Sequence, residues 1–467
     1  MNYKSFLFST IVISTIGTCS LVSAQQKPNL IVIMADDLGY ADVGYNGCTD
    51  IPTPNIDALA KSSVRFTNAY APFSVCGPSR AGFITGRYQQ RFGFERNPQY
   101  RPNDPNMGLP KSEKTIAEVL KPVGYTSKII GKWHLGAHKE THHPLNRGFD
   151  EFYGHLGGSH FYFQKEMRFK DSYNVTKDRE EWEQMRTWIL RDHTPVEFEK
   201  HLTEQFSDEA VDFIDRHKEK PFFLFMSYNA PHTPLQPANE HLERVSHIQN
   251  ETRRLYAGLV VGLDDGVGQI MQKLRECGLE ENTIVFFMSD NGGKNKWGAD
   301  NGILRGDKGS NYEGGWRVPF LMKWEGHVMA SDYHQPVIAL DVLATIADLS
   351  GAVINPDKPL DGVNLIPYVS GDKQGAPHKA IYWRNHGADG TFAVRMGKHK
   401  IITARYGEVR QLFNLETDIN ESDNLLREFP QKVKEIDAYR KAWNQELIEP
   451  AFLGLEHTKK FKDRNKK

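Results

Sequence analysis

Cysteine is scarce in this chain: 4 residues in 467, at Cys19, Cys48, Cys76 and Cys277. Cys19 falls in a leader-like stretch, and those that remain are too sparse and odd in number for a disulfide framework, so the fold must be held by its core. Nothing in the spacing supports a Cys48–Cys277 bridge, and the expectation for both is a buried free thiol. After the leader no segment approaches the ~20 consecutive apolar residues that a spanning helix needs. An excess of charge of either sign is also missing, because 58 Lys and Arg stand against 59 Asp and Glu for a net −1. No global field recruits nucleic acid, and an anionic ligand has to be caught by local cations. Internal repeats and low-complexity segments are lacking as well.

What is present is an ordinary globular composition, 39% hydrophobic and 25% charged, long enough for one large domain and a smaller one. Residues 1–24 open with Lys4, run apolar from Phe6 to Ile16 and finish Val22-Ser23-Ala24, the pattern of a cleaved signal peptide. Thr18 before Cys19 fits a lipoprotein cleavage site poorly, so free export to the periplasm or medium is expected. The division expected is a catalytic α/β domain over 25–370 and a C-terminal subdomain over 371–467, ending in a basic tail at 459–467.

Near-continuous apolar runs at 29–34, 124–130, 221–228 and 283–289 read as strands buried on both faces. Helical spacing at 53–60, 112–121, 203–215 and 255–277 alternates with them. Such alternation predicts βαβ units and a mostly parallel central sheet flanked by helices, which takes its ligands beyond the carboxyl ends of its strands. The runs end in Asp36-Asp37, in Lys132 and His134, in His232, and in Asp290-Asn291. Singly these read as an acidic turn, a solvated lysine or a structural histidine; their shared address points to one site. An apolar helix is expected over 337–349. Short strands at 379–383, 391–395, 400–403 and 411–415, then a helix over 430–447, predict a small C-terminal antiparallel sheet with a covering helix.

One stretch commits the chain further. Pro78 suits the first turn of a helix, which places Cys76 just before it, near unpaired backbone donors. On chemistry alone Cys76 is either an activated thiol or a small buried cysteine. Together Cys76, Pro78, Ser79, Arg80, Thr85 and Gly86 spell C-x-P-S-R-x-x-x-x-T-G, and the chain resembles the type I sulfatases of the alkaline phosphatase superfamily, which carry this signature. Gly131-Lys132-Trp133-His134 with Gly136, Ala230-Pro231-His232, and Lys308 ahead of Glu313-Gly314-Gly315-Trp316-Arg317-Val318-Pro319 extend the resemblance over nearly the whole chain after the leader.

The resemblance implies that a maturation enzyme converts Cys76 to formylglycine (3-oxoalanine). It implies one Ca²⁺ ion held by Asp36, Asp37, Asp290, Asn291 and the modified Cys76; hard oxygen donors suit Ca²⁺ and, by ligand type alone, Mg²⁺ too. Arg80, Lys132 and Lys308 would hold the sulfuryl oxygens, Asp290 would take the proton of the attacking hydroxyl, His232 would protonate the leaving alcohol and His134 would act as the base that expels sulfate. The implied substrate is a sulfated saccharide, with ulvan or carrageenan as the first choice. A stretch over 154–195, rich in His155, His160, Phe161, Tyr162, Trp182, Arg186, Trp188, Arg191 and His193, suits sugar rings and anionic groups. Its His155, His160 and Arg191, with Arg384 and His386 from the second domain, are the expected substrate-binding residues. The competing readings are a glycosaminoglycan or aryl sulfatase, a phosphodiesterase or phosphonate hydrolase of the same superfamily, and a catalytically silent glycan-binding protein.

Overall fold

In the computed structural model, residues 27–166, 187–403 and 410–457 are described; the leader, the basic tail and, in the aromatic stretch, Trp182 and Arg186 lie outside them. The strand Asn29–Ala35 is the axis of a ten-stranded sheet. It pairs in parallel with Phe222–Ser227 on one side and Thr283–Ser289 on the other. Thr126–Lys132 and then Glu151–His155 extend the parallel set beyond Phe222–Ser227. An antiparallel strand follows on each side: Phe320–Trp324 beside Thr283–Ser289, with Val64–Phe66 and then Ser331–Tyr333 beyond it, and Ile189–Arg191 beside Glu151–His155, with Thr194–Val196 beyond it.

The apolar runs are explained by what covers them. Ile31, Ile33 and Ala35 point into a cluster with Phe206, Phe213, Val260 and Val267, from the helices Leu202–His217 and Glu251–Glu276. Leu30, Val32 and Met34 point the other way, against Phe83, Ile84, Leu343 and Ile346 of the helices Cys76–Thr85 and Asp341–Ser350. Both faces of the strand are therefore dry, and each fully buried Val, Ile or Leu contributes about 1.5–3 kcal/mol. The parallel strands must then present their polar residues at their ends, where the backbone leaves the sheet.

Three sequence-based spans shift. The helix expected over 112–121 is confined to Ile116–Leu120, because Thr115 and Glu118 form a reciprocal capping box that starts it late. The helix expected from residue 337 begins at Asp341, since Val337–Ile338 pairs in parallel with Ala69–Tyr70 and the Ile338 N–H donates to Asp341 Oδ2 at 2.9 Å. Cys76 is the first residue of its helix rather than the one before it. Cys48 and Cys277 are free, as expected, but half-buried rather than buried; burial nonetheless pushes the Cys48 thiol up to about 11.

The small sheet runs Ile381–Asn385, Thr391–Met396, His399–Thr403 and Arg410–Asn414 in sequential antiparallel order, followed by the helix Pro430–Gln445. Its Trp383, Phe392 and Phe413 share one cluster with Tyr70, Trp316 and Leu340. A buried charge network crosses the same seam. Lys400 Nζ lies 2.9 Å from Glu313 and 3.0 Å from Glu421, and all three side chains are fully buried. Glu313 also accepts from the Tyr70 hydroxyl at 2.7 Å, and Arg317 stands 3.5 Å away. The E-G-G-W-R run is thus a structural joint, not part of the site. Lys400→Met should leave two buried carboxylates short of a cation and lower unfolding free energy by about 3 kcal/mol, read by denaturant titration; a loss below about 1 kcal/mol would show that the network reorganises without it.

Candidate active site

Four of the five parallel strands end at the same place. Asp36 and Asp37 follow Asn29–Ala35, Lys132 closes its strand with His134 just beyond, Ser227 closes another ahead of His232, and Asp290-Asn291 follow Thr283–Ser289. Gly131, with φ +103°, is required before Lys132, since a Cβ there would sit 1.9 Å from the Ser227 carbonyl oxygen. The helix Cys76–Thr85 brings Cys76 and Arg80 to this cluster from one face. Its N-cap, Val75, offers no side-chain acceptor; Asn97 Oδ1 accepts the Gly77 N–H at 2.8 Å instead.

Cation and carboxylate alternate through the cluster. Lys132 Nζ is 2.7 Å from Asp36, with both side chains fully buried. Lys308 Nζ is 2.7 Å from Asp37 and 3.4 Å from Cys76 Sγ. Arg80 Nε donates to Asp290 at 2.8 Å and Nη1 to Ser227 Oγ at 2.5 Å. Asn291 Nδ2 donates to Asp37 at 2.7 Å. His232 Nδ1 lies 2.7 Å from the Thr233 carbonyl, which turns Nε2 towards Asp37 at 3.5 Å. The Tyr162 hydroxyl donates to the Asn229 and His232 carbonyls at 2.8 and 2.9 Å, fixing that loop.

The electrostatics follow. Burial pushes the Cys76 thiol up, but Lys132 and Lys308 outweigh it and hold it at about 6. Burial likewise opposes the charge on Asp37, and Lys308 overrides it and keeps the carboxyl well below the usual range. Asp290 is raised by burial and by Asp36 beside it. Burial and Lys132 hold His134 neutral, whereas in His232 the nearby Asp36 and Asp37 overcome burial and raise the imidazole.

The donor set fits a hard cation. Carboxylate oxygens of Asp36 and Asp37, Cys76 Sγ and a His232 nitrogen lie within 4.8 Å of one another, and the buried acceptors Asp36 Oδ1 and Asn291 Oδ1 have no hydrogen-bond partner. Buried acceptors without donors are what a bound cation satisfies.

The structure therefore gathers Asp36, Asp37, Cys76, Arg80, Lys132, His134, His232, Asp290, Asn291 and Lys308. Four of the five expected substrate-binding residues do not join them. Arg384 is buried in a pair with Glu95, and Arg191 pairs with Glu209 at the sheet margin. His160 is buried with its ring nitrogens 2.7 Å from the Phe161 and Thr187 carbonyls, and His155 is buried against the His160 ring, 5.1 Å between centroids. These side chains are held by the fold. Only His386 of that group reaches an open cleft near Cys76. Asn97, Ser227 and Tyr162 carry no motif that would have assigned them their supporting positions. Asn97→Ala should cost about 1 kcal/mol of stability, as other lost helix caps do, and slow turnover; wild-type values in both denaturation and activity assays would show the contact to be idle.

Residues 28–352 match the family model described as Sulfatase, and residues 305–447 one described as N-sulphoglucosamine sulphohydrolase, C-terminal. The chain is similar to the N-acetylgalactosamine-6-sulfatase of Mus musculus, 33% identical over 437 residues, covering 89% of this chain and 79% of that protein. Among solved structures it resembles Ps i-CgsB in complex with k-i-k-neocarrahexaose, with a TM-score of 0.85 at 38% identity over 94% of this chain and 97% of that one. The PsFucS1 sulfatase from Pseudoalteromonas sp. aligns with a TM-score of 0.73 at 25% identity, over 90% of each chain.

Proposed function

The chain belongs to the sulfatase family, enzymes that hydrolyse sulfate esters, and from that premise we propose that it removes sulfate from a saccharide at the cluster around Cys76. The observation that carries this is the convergence of Lys132 and Lys308, from separate elements, on the cluster that Cys76 and Arg80 enter from one helix. A sulfate ester keeps negative charge on its oxygens throughout the reaction, and fixed cations in a site shielded from water stabilise that charge far better than solvated ones.

Cys76 stands for the residue that a maturation enzyme converts to formylglycine, whose hydrated aldehyde supplies the nucleophilic hydroxyl. Asp36, Asp37, Asp290 and Asn291 would hold a Ca²⁺ ion, which supplies Lewis-acid charge. The chain's own residues do the rest. Arg80, Lys132 and Lys308 bind and orient the sulfuryl group. Asp290, pinned by Arg80 at 2.8 Å, takes the proton of the attacking hydroxyl. His232 donates Nδ1–H to the Thr233 carbonyl, and with Asp36 and Asp37 raising its imidazole the imidazolium form gives the leaving oxygen the proton on Nε2. His134, buried with both ring nitrogens unpartnered, is the neutral base for sulfate release.

The substrate we propose is a sulfated algal polysaccharide or its oligosaccharides. Support comes from the likeness to a protein crystallised with k-i-k-neocarrahexaose, which favours carrageenan over ulvan. The likeness to N-acetylgalactosamine-6-sulfatase supports a second reading, a glycosaminoglycan sulfatase. The leader-like residues 1–24 support export to the periplasm or medium. The test is sulfate release from the matured enzyme across defined carrageenan, ulvan and glycosaminoglycan oligosaccharides, an aryl sulfate and an aryl phosphodiester. Release from carrageenan oligosaccharides above the others is expected; faster cleavage of the diester to a phenol and a phosphate monoester would refute the sulfatase assignment.

A further inference from the structure

Beside Cys76 lies a cleft of about 200 Å³ to which the steps above give no role. Its walls are Phe73, Ser74 and Val75 just ahead of Cys76, Gly309 just after Lys308, and Arg96, Asn385, His386 and Glu456. Glu456 comes from a strap that returns from the C-terminal helix. Along it, the Ala451 N–H donates to the Gly93 carbonyl at 2.9 Å, the Leu455 N–H to that of Asn97 at 2.9 Å, and Arg96 Nη1 to that of Phe452 at 3.2 Å. The strap sets Glu456 Oε1 within ion-pair range of three nitrogens: Arg96 Nε at 3.4 Å, His457 Nδ1 at 3.5 Å and His386 Nδ1 at 3.6 Å. The His386 side chain is 46% exposed, and its backbone holds φ +71°, a conformation a non-glycine residue keeps only where its surroundings impose it.

We infer that this cleft receives the sugar ring that bears the scissile sulfate, and that Arg96 and His386, latched by Glu456, select it. The inference rests on the sulfatase reading above. Cys76 and Lys308 fix where the sulfuryl group sits, so the alcohol side of the ester must occupy space bordering both, and this cleft is walled by the chain neighbours of each. Phe73 offers an apolar face for a ring, while carboxylate, guanidinium and imidazole stand together along another wall. Glu456 offsets the charge of Arg96, so the trio is suited to ring hydroxyls, which both donate and accept, more than to a second sulfate. His386 and Arg96 are in this sense specificity residues and take no part in bond breaking.

The experiment compares wild type, His386→Ala and Glu456→Gln on two substrates: the best saccharide from the panel above, and 4-nitrophenyl sulfate, whose flat leaving group has no ring hydroxyls. The saccharide KM should rise about tenfold, the value of one good polar contact, with kcat within about twofold, while kcat/KM for the aryl sulfate stays within about twofold. Equal losses on both substrates, or none on either, would overturn the inference. Calorimetric binding of the same saccharide to Cys76→Ala protein, with and without His386→Ala, gives a readout independent of turnover: about tenfold weakening is expected, and unchanged affinity would overturn the assignment. Wild-type protein that binds the saccharide but releases no sulfate from either substrate would refute the sulfatase reading and leave the cleft assignment standing on the binding result.

Discussion

Cys76→Ala is expected to bring sulfate release down to background, a fall of at least about 10⁴-fold, the scale on which losing a covalent nucleophile is felt. The fold should survive. The side chain is buried, but it is small, and the helix it begins is held independently by Ser79 Oγ on the Asp290 carbonyl at 2.5 Å, by Arg80 on Asp290, and by Asn97 on the Gly77 N–H. An unchanged denaturation midpoint together with lost turnover is therefore the predicted pair of results. Cys76→Ser sharpens the outcome: it puts a hydroxyl where Sγ now lies, 3.4 Å from Lys308 Nζ, and the mass of the variant tells whether that alcohol has been oxidised. If a serine variant whose mass shows an unoxidised side chain turned over like wild type, an ordinary alcohol would suffice and the formylglycine assignment would fall. Activity in the alanine variant would remove position 76 from the chemistry altogether.

The central part of the site was legible because two independent signals coincide there. Strands dry on both faces announce themselves as apolar runs, and a parallel sheet forces their polar ends to one margin, so Asp36, Asp37, Lys132, His232, Asp290 and Asn291 are brought together by topology alone. The motif around Cys76 then adds a helix whose place against the sheet no periodicity specifies. What was not legible depends on pairing between distant residues. Arg191 and Arg384 look like ligands for an anion in sequence, but each is paired to a carboxylate, Glu209 and Glu95, that lies far along the chain. His155 and His160 are buried for the same kind of reason: Glu151–His155 is an interior strand whose last residue, His155, is buried against the His160 ring. Arg96 and Glu456 escaped notice because their meeting depends on a strap that runs antiparallel to nothing in sequence and is held by single backbone bonds to 90–97.

Removing divalent cations should produce the second large effect, a fall in turnover of about 10³-fold or more, reversed by Ca²⁺. The reason lies in the charge arrangement. Asp36, Asp37 and Asp290 crowd into one buried pocket, and although Lys132, Lys308 and Arg80 pair with them, Asp36 Oδ1 and Asn291 Oδ1 are still buried without a donor. Burial and Asp36 raise the Asp290 carboxyl, which marks the pocket as short of positive charge for three ionised carboxylates. A cation held by these residues would supply the missing positive charge and leave Lys132 and Lys308 freer to bind substrate. The same linkage makes stability a second readout: ligand at 100 times its dissociation constant adds about 2.7 kcal/mol, enough to raise the melting midpoint by about 2 °C or more in a chain of this size. Ca²⁺ should raise the midpoint of chelated protein and restore activity over one concentration range. Asp37→Asn should abolish both responses, since Asp37 bridges Asn291 and Lys308 at 2.7 Å each. Full activity after chelation, with no midpoint shift on adding Ca²⁺ or Mg²⁺, would mean that the lysines and Arg80 alone neutralise the pocket, and the metal assignment would have to be withdrawn.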